Sequence, residues 1–161
     1  MGEAVRNVLL NSNGVHISDL AELFLFEACR AQIVRQILRP ALDKKNIVIC
    51  DRYSDATTCY QGYGGKIDLD TIKTLDKIAT DGLKPDITFL LDIETSEGLK
   101  RARKKGVDRM ESKDTAYHKR VRAGYLKLAK MEPERMRVVK VAGPIAKVQT
   151  KIRKEVESVL R

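Results

Sequence analysis

Residues 47–62 read IVICDRYSDATTCYQG. Four apolar residues end in Asp51-Arg52-Tyr53, and hydroxyls, a tyrosine and a glutamine follow. A buried strand that only needed to stop would do so with Gly, Asn or Pro. The run "NIVIC" from Asn46 is short, β-branched and uninterrupted, which predicts a parallel strand covered on both faces. In open parallel sheets ligands sit beyond the C-terminal ends of the strands, and Asp51, Arg52 and Tyr53 fall at such an end. Arg52 offers a planar fork to a phosphate, with Asp51 to orient it or approach a magnesium ion. The alternative is a local ion pair at a strand end, and the triplet alone leaves both open. Thr57, Thr58, Tyr60 and Gln61 suit the edge of a base or a sugar, or equally a polar loop capping the next element.

Outward from this stretch the chain alternates strands and helices. "GEAVRNVLLNS" predicts a short amphipathic helix broken at Asn13-Gly14. Ser18 is a good N-cap for "DLAELFLFEACRAQIVRQIL", a helix of about five turns that Pro40 is expected to close. "DLDTIKTLDKIATDGL" predicts a helix ending at Gly82, and "DITFLLDI" from Asp86 a second buried strand. "TSEGLKRARKKG" predicts a helix with Thr95 at its N-cap. "DTAYHKRVRAGYLKLAKMEPER" gives another helix, "RVVKVAG" from Arg137 a third strand, and "PIAKVQTKIRKEVESVLR" a closing amphipathic helix. The pattern is that of a single α/β domain over residues 1–161 with a parallel sheet.

The 161 residues carry a net charge of +9, with 43% apolar and 33% charged residues. That composition is globular, and the charge favours an anionic partner such as a nucleotide, nucleic acid or membrane surface. Aromatics make up 5% and Trp is absent, so stacking platforms for single-stranded nucleic acid are few. No apolar run approaches the ~18 residues of a membrane span. Cys29, Cys50 and Cys59 lack metal-ligand spacing and read as reduced thiols, so no metal site is expected. The cytoplasm is the expected compartment.

Phe26 and Arg30 lie at i and i+4 on one helix face, where a ring and a guanidinium can meet a flat heterocycle. A core Phe beside a surface Arg fits the same spacing. "KRARKKGVDRME" from Lys100 puts six cations within ten residues. It is either a solvated face or a lid over polyphosphate, spanning about residues 100–113. The sequence contains no G-x-x-x-x-G-K-[ST] phosphate loop: "YQGYGGKI" places Tyr60 and Ile67 where a Gly and a hydroxyl belong.

"DRYSDATTCYQG", with "LFLFEACRAQ", "KPDITFLLDI", "GLKRARKKGVDRME" and "YHKRVRAGYLKLAKMEPER" in order, resembles the thymidylate kinases of bacteria and archaea. The resemblance implies a three-layer P-loop NTPase-like (nucleoside monophosphate kinase) fold, a parallel sheet with helices on both faces. It also implies transfer of the ATP γ-phosphate to dTMP, with Mg2+ accompanying ATP. By the same resemblance Phe26 stacks on thymine, Arg30 bonds the base edge, and Arg52 grips the dTMP phosphate beside Asp51. Thr57 and Gln61 sit among base-reading groups, and Tyr60 closes on the sugar. Arg101, Arg103, Lys105 and Arg109 fall in the lid over the ATP phosphates, with Arg52, Asp51 and Arg103 as the catalytic set, and Gly143 lies in the adenine loop. A homodimer through the long helix is implied as well.

The departure is at the front. The family places a strand, the phosphate loop, a helix and a second strand ahead of the point where this chain starts. The expectation is therefore that the first two strands are missing, that Met1 is an internal start or a truncated gene model, and that the acceptor site and lid remain without the ATP cradle. In the family's strand order one missing strand is central, so its neighbours must either pair directly or leave edges exposed. A nucleotide-binding relative without turnover is the alternative, and a basic nucleic-acid-binding module a more distant one.

Overall fold

The structure is a computed structural model and describes residues 2–11, 16–104 and 108–159. Helix α1 (Gly2–Asn11) buries Leu9. Helix α2 (Asp19–Ile33) begins where Ser18 accepts a hydrogen bond from the Ala21 amide, the expected N-cap. Pro40 does not end this helix. The backbone widens into a π-helical turn at Val34–Leu38 and runs on as α3 (Arg39–Asp43). An i→i+5 turn opens the ladder just where Pro40 lacks a donor, so the helix absorbs the proline instead of stopping.

The segment 46–50, expected as a strand, forms no ladder. It has no regular secondary structure, and Ile47 is 70% and Ile49 94% exposed. Among the described residues no neighbouring strand lies beside it. The sheet consists of β1 (Thr88–Asp92) and β2 (Met136–Lys140), paired in parallel with Thr88 opposite Met136 and Asp92 opposite Lys140. Helices surround it, giving the expected α/β architecture with a parallel sheet.

Helix α4 (Ser54–Thr57) runs straight into a π-helical turn at Thr58–Gly64. Helix α5 (Leu69–Thr80) is capped by Asp68, which accepts from the Thr71 amide, and closes through left-handed Asp81 and Gly82. Helix α6 (Thr95–Arg103) has Glu94, not Thr95, at its N-cap, and no side chain caps it. Helix α7 (Thr115–Met131) is capped by Asp114. Helix α8 (Ile145–Val159) lays Val148, Ile152 and Val156 half-buried along one side, while Ile145 and Val159 at its ends are exposed. Among the described residues no helix is long and apolar enough to cross a membrane.

The core lies in two parts. Cys59, Met110, Tyr117 and Val121, with Tyr60, Tyr125 and Leu128 against them, join the π-turn to α7. Val34, Leu38 and Tyr53, with Val48 and Leu83, join the long helix to the start of the Asp-Arg-Tyr segment. The first contact is close: a Cβ on Gly64 would lie 2.7 Å from the Tyr117 ring and from Val121. Only glycine lets α7 approach there. Residues 51–64 are thus gripped from both sides.

Candidate functional site

Arg30 emerges half-buried from α2 and meets the Asp-Arg-Tyr segment directly. Its Nη2 donates to Thr57 Oγ1 at 2.5 Å, across 27 positions of sequence, and its guanidinium lies over the Tyr53 ring at 5.2 Å. Its Nε faces Glu27 at 3.3 Å and Asp76 of α5 at 3.5 Å. Nη1 makes no hydrogen bond among the described residues. Phe26, one turn back on α2, is half-buried. Burial, then the neighbouring Glu27 carboxylate, pushes the Asp76 carboxyl up to about 7.

Arg52 has φ +68°, the left-handed region that a non-glycine residue enters at a cost of about 1–3 kcal/mol. The Cys50 thiol donates to its carbonyl at 3.2 Å. The turn carries the Arg52 guanidinium over the Tyr60 ring at 4.9 Å. Tyr60 packs edge-on against Tyr117 and Tyr125, each at 6.4 Å, and its carbonyl accepts from the Tyr117 hydroxyl at 3.0 Å. Desolvation raises both Tyr117 and Tyr125 above the ordinary phenol range, so these rings stay neutral supports. Asp51 is exposed beside Arg52.

Gln61 is buried, and its Nε2 donates to Glu22 Oε1 at 2.7 Å. The other oxygen of Glu22, a residue only 1% exposed, takes Arg109. Arg109 Nε also donates to the Leu9 carbonyl at 2.7 Å. Arg109 is therefore held against α1 and α2 and does not project freely from the basic segment. Arg101 pairs with Glu97 at 2.8 Å on α6, while Arg103 is exposed. Arg103 lines a groove of about 460 Å³ with Ser96, Leu99, Lys100, Lys104 and Thr115, a lining that includes neither Arg30 nor Arg52. Lys105 lies outside the described residues. Gly143 sits at φ +83° in an exposed turn before α8. The structure thus brings together Arg30 with Thr57, and Arg52 with Tyr60; it does not bring the α6 cations to them.

Four residues that sequence reasoning passed over hold this arrangement. Glu22 and Glu27 are acids inside the apolar run "LAELFLFEA", and a buried acid there demands a partner. Asp76 lies one turn beyond fully buried Ile72 on the inner stripe of α5. Asp55, inside the segment, forms a two-pronged pair with Arg135 at 2.8 Å for both prongs. Nothing local predicts that last pair, because its members are 80 positions apart.

The family model for thymidylate kinase matches residues 1–152. A thymidylate kinase from Desulfosudis oleivorans is 44% identical over 156 residues, covering 92% of this chain and 73% of the relative. One from Desulfovibrio desulfuricans is 40% identical over 169 aligned positions, covering all of this chain and 78% of the relative. Among solved structures, thymidylate kinase from Ehrlichia chaffeensis matches with a TM-score of 0.77 at 33% identity, over 96% of this chain and 73% of that one.

Proposed function

Since this chain belongs to the thymidylate kinase family, we propose that α2 and residues 51–61 form the acceptor site for dTMP, the half of a phosphotransfer site that receives the γ-phosphate of ATP. The observation that carries this reading is the Arg30–Thr57 contact, which joins the two sequence regions expected to read a base. Phe26 stacks on thymine, Arg30 donates to the base edge, Tyr60 closes on the sugar and Arg52 takes the 5′-phosphate with Asp51 beside it. The cost of the left-handed Arg52 backbone supports a functional use, because strain of this kind persists where the surroundings impose it.

For the donor, Arg101 and Arg103 serve as lid cations over the ATP phosphates, Lys105 continues that run, and Gly143 lies in the loop against adenine. Arg109 reaches a phosphate only by leaving Glu22. Mg2+ comes with the polyphosphate. Among the described residues no group of three acidic, His or Cys side chains is placed to hold a metal ion. A second reading, a nucleotide-binding relative that holds dTMP without turnover, uses the same acceptor residues, since phosphoryl transfer needs positioning and charge stabilisation beyond the binding of the acceptor. A homodimer through α2 and a cytoplasmic place belong to the same family reading, and Leu20 and Phe24 leave an apolar face half exposed there.

Calorimetric titration of the purified chain with dTMP, with UMP as control, tests the acceptor reading. Saturable binding of dTMP over UMP is expected, and no binding by a cooperatively melting protein rejects it. Assay of dTDP formation from ATP separates turnover from binding.

A further inference from the structure

Beneath Arg30 two carboxylates compete for one N–H. Glu27 Oε2 lies 3.3 Å and Asp76 Oδ1 3.5 Å from Arg30 Nε. Nε carries a single proton, directed at Glu27 Oε1 at 3.4 Å. Both Glu27 Oε2 and Asp76 Oδ1 are fully buried and neither has a hydrogen-bond partner. Glu27 is 5% exposed, so water does not supply the missing donor freely. Two ionised carboxylates each within 3.5 Å of the same Nε repel each other in such a place, and a proton shared by the pair relieves that repulsion and gives an orphaned oxygen a partner.

The other charged and titratable groups around the pair do not remove the excess. Among the described residues Arg30 is the one cation paired with it. On α4, Asp55 adds negative charge but is neutralised by Arg135. Tyr53 lies on the far side of the guanidinium, its hydroxyl donating to the Leu83 carbonyl, and burial lifts it to about 12, so it stays neutral. Arg39 of α3 is engaged by Asp81, and Lys77, the neighbour of Asp76 on α5, is exposed. The exposed Cys50 thiol is raised by desolvation and is neutral too.

We propose that Glu27 and Asp76 share one proton and act as positioning residues for Arg30, so that the acceptor site binds well only while the pair keeps that proton. With the proton present, Arg30 and the pair sum to zero charge, and Nη1 is free to face the base. Without it, the cluster carries a net negative charge, the guanidinium is drawn toward the acids, and an anionic nucleotide meets repulsion. The inference rests on the reading of Arg30 as the base-edge donor. Neither acid touches the nucleotide; both act through Arg30.

The test measures dTMP affinity calorimetrically at several pH values from about 5.5 to 8.5, in wild type, Asp76→Asn and Glu27→Gln. Dividing mutant by wild-type affinity at each pH cancels the titration of the nucleotide phosphate itself. Wild-type affinity should fall by up to about tenfold per pH unit once the pair ionises. Either amide variant should flatten that fall, since each leaves one negative charge under Arg30. A constant mutant-to-wild-type ratio over this range overturns the proposal. Carbon NMR of the carboxyl groups in unliganded wild-type protein reads the shared proton without nucleotide and without mutation. The apparent values belong to the pair, and one of the two steps should lie well above the ordinary carboxylate range. Both steps below about pH 5 overturn the proposal even if dTMP binds. Absence of dTMP binding beside a raised carboxyl step sinks the acceptor reading, and with it the positioning role, and the two failures are told apart by the NMR result.

Discussion

Arg135→Ala should be among the most costly single changes in this protein. Arg135 Nη1 and Nη2 donate to the two oxygens of Asp55, each at 2.8 Å, Nη1 also reaches Thr88 Oγ1 at 2.8 Å, and Nε reaches Glu132 at 3.0 Å. The Asp55 and Arg135 side chains are 13% and 14% exposed. The pair ties the Asp-Arg-Tyr segment, through α4, to the first residue of β1 and the turn before β2. Truncating the arginine leaves Asp55 with only the Thr88 hydroxyl at 3.2 Å, and a buried charge stripped of its partner costs about 3–5 kcal/mol. The Thr88 hydroxyl that remains offsets part of this, so the penalty should be about 3–4 kcal/mol at pH 7. With a urea slope of about 2 kcal/mol/M, the pH 7 midpoint falls by about 1.5–2 M. Asp55→Ala should cost less, because Arg135 keeps Glu132 and a route to water. A penalty under about 1 kcal/mol at pH 7, or one no larger than that of Asp55→Ala, would refute this reasoning.

Three further outcomes follow from other contacts. A Cβ on Gly64 meets Tyr117 and Val121 at 2.7 Å, so Gly64→Ala should destabilise the protein by about 1–3 kcal/mol, read as a lower urea midpoint at unchanged slope. Because Arg52 sits at φ +68°, Arg52→Gly should be about 1 kcal/mol more stable than Arg52→Ala, measured by parallel urea melts; equal stabilities would deny the strain. Asp76 has a folded value raised to about 7 against an ordinary value near 3.9. A raised value adds stability that is fully present below about pH 4 and is lost as pH rises to about 7, at up to about 1.4 kcal/mol per pH unit. Thermal melts of Asp76→Asn should lack that decline, whereas a parallel decline in the variant would place its source elsewhere.

How much of this was legible in sequence varied with the range of the forces involved. Local rules found Ser18 at the start of its helix, since a cap is decided within three residues, but placed the start of α6 at Thr95, one residue past the Glu94 cap. They failed at Pro40, where a π-turn upstream let the helix continue, and at 46–50, where strand-like residues found no partner. A ladder is a property of two segments, and one segment's composition cannot supply the other. Arg30 and Arg52 were legible because their spacing and neighbours form a pattern. Glu22, Glu27 and Asp76 left a fainter mark, an acid on an apolar face, whose partner only the folded chain reveals. The position of Arg109 was hidden for the same reason: a basic run suggests a lid, but Glu22 and the Leu9 carbonyl hold this member of it inside.

The central claim is that residues 51–61 and α2 make one site in which Arg52 reads a phosphate and Arg30 a base. Comparing dTMP with thymidine in wild type and Arg52→Ala tests it most directly. Wild type should prefer dTMP strongly, and Arg52→Ala should lose that preference while still binding thymidine as wild type does. A preference for dTMP that survives in Arg52→Ala would contradict the account, because the phosphate would then be held by some other group.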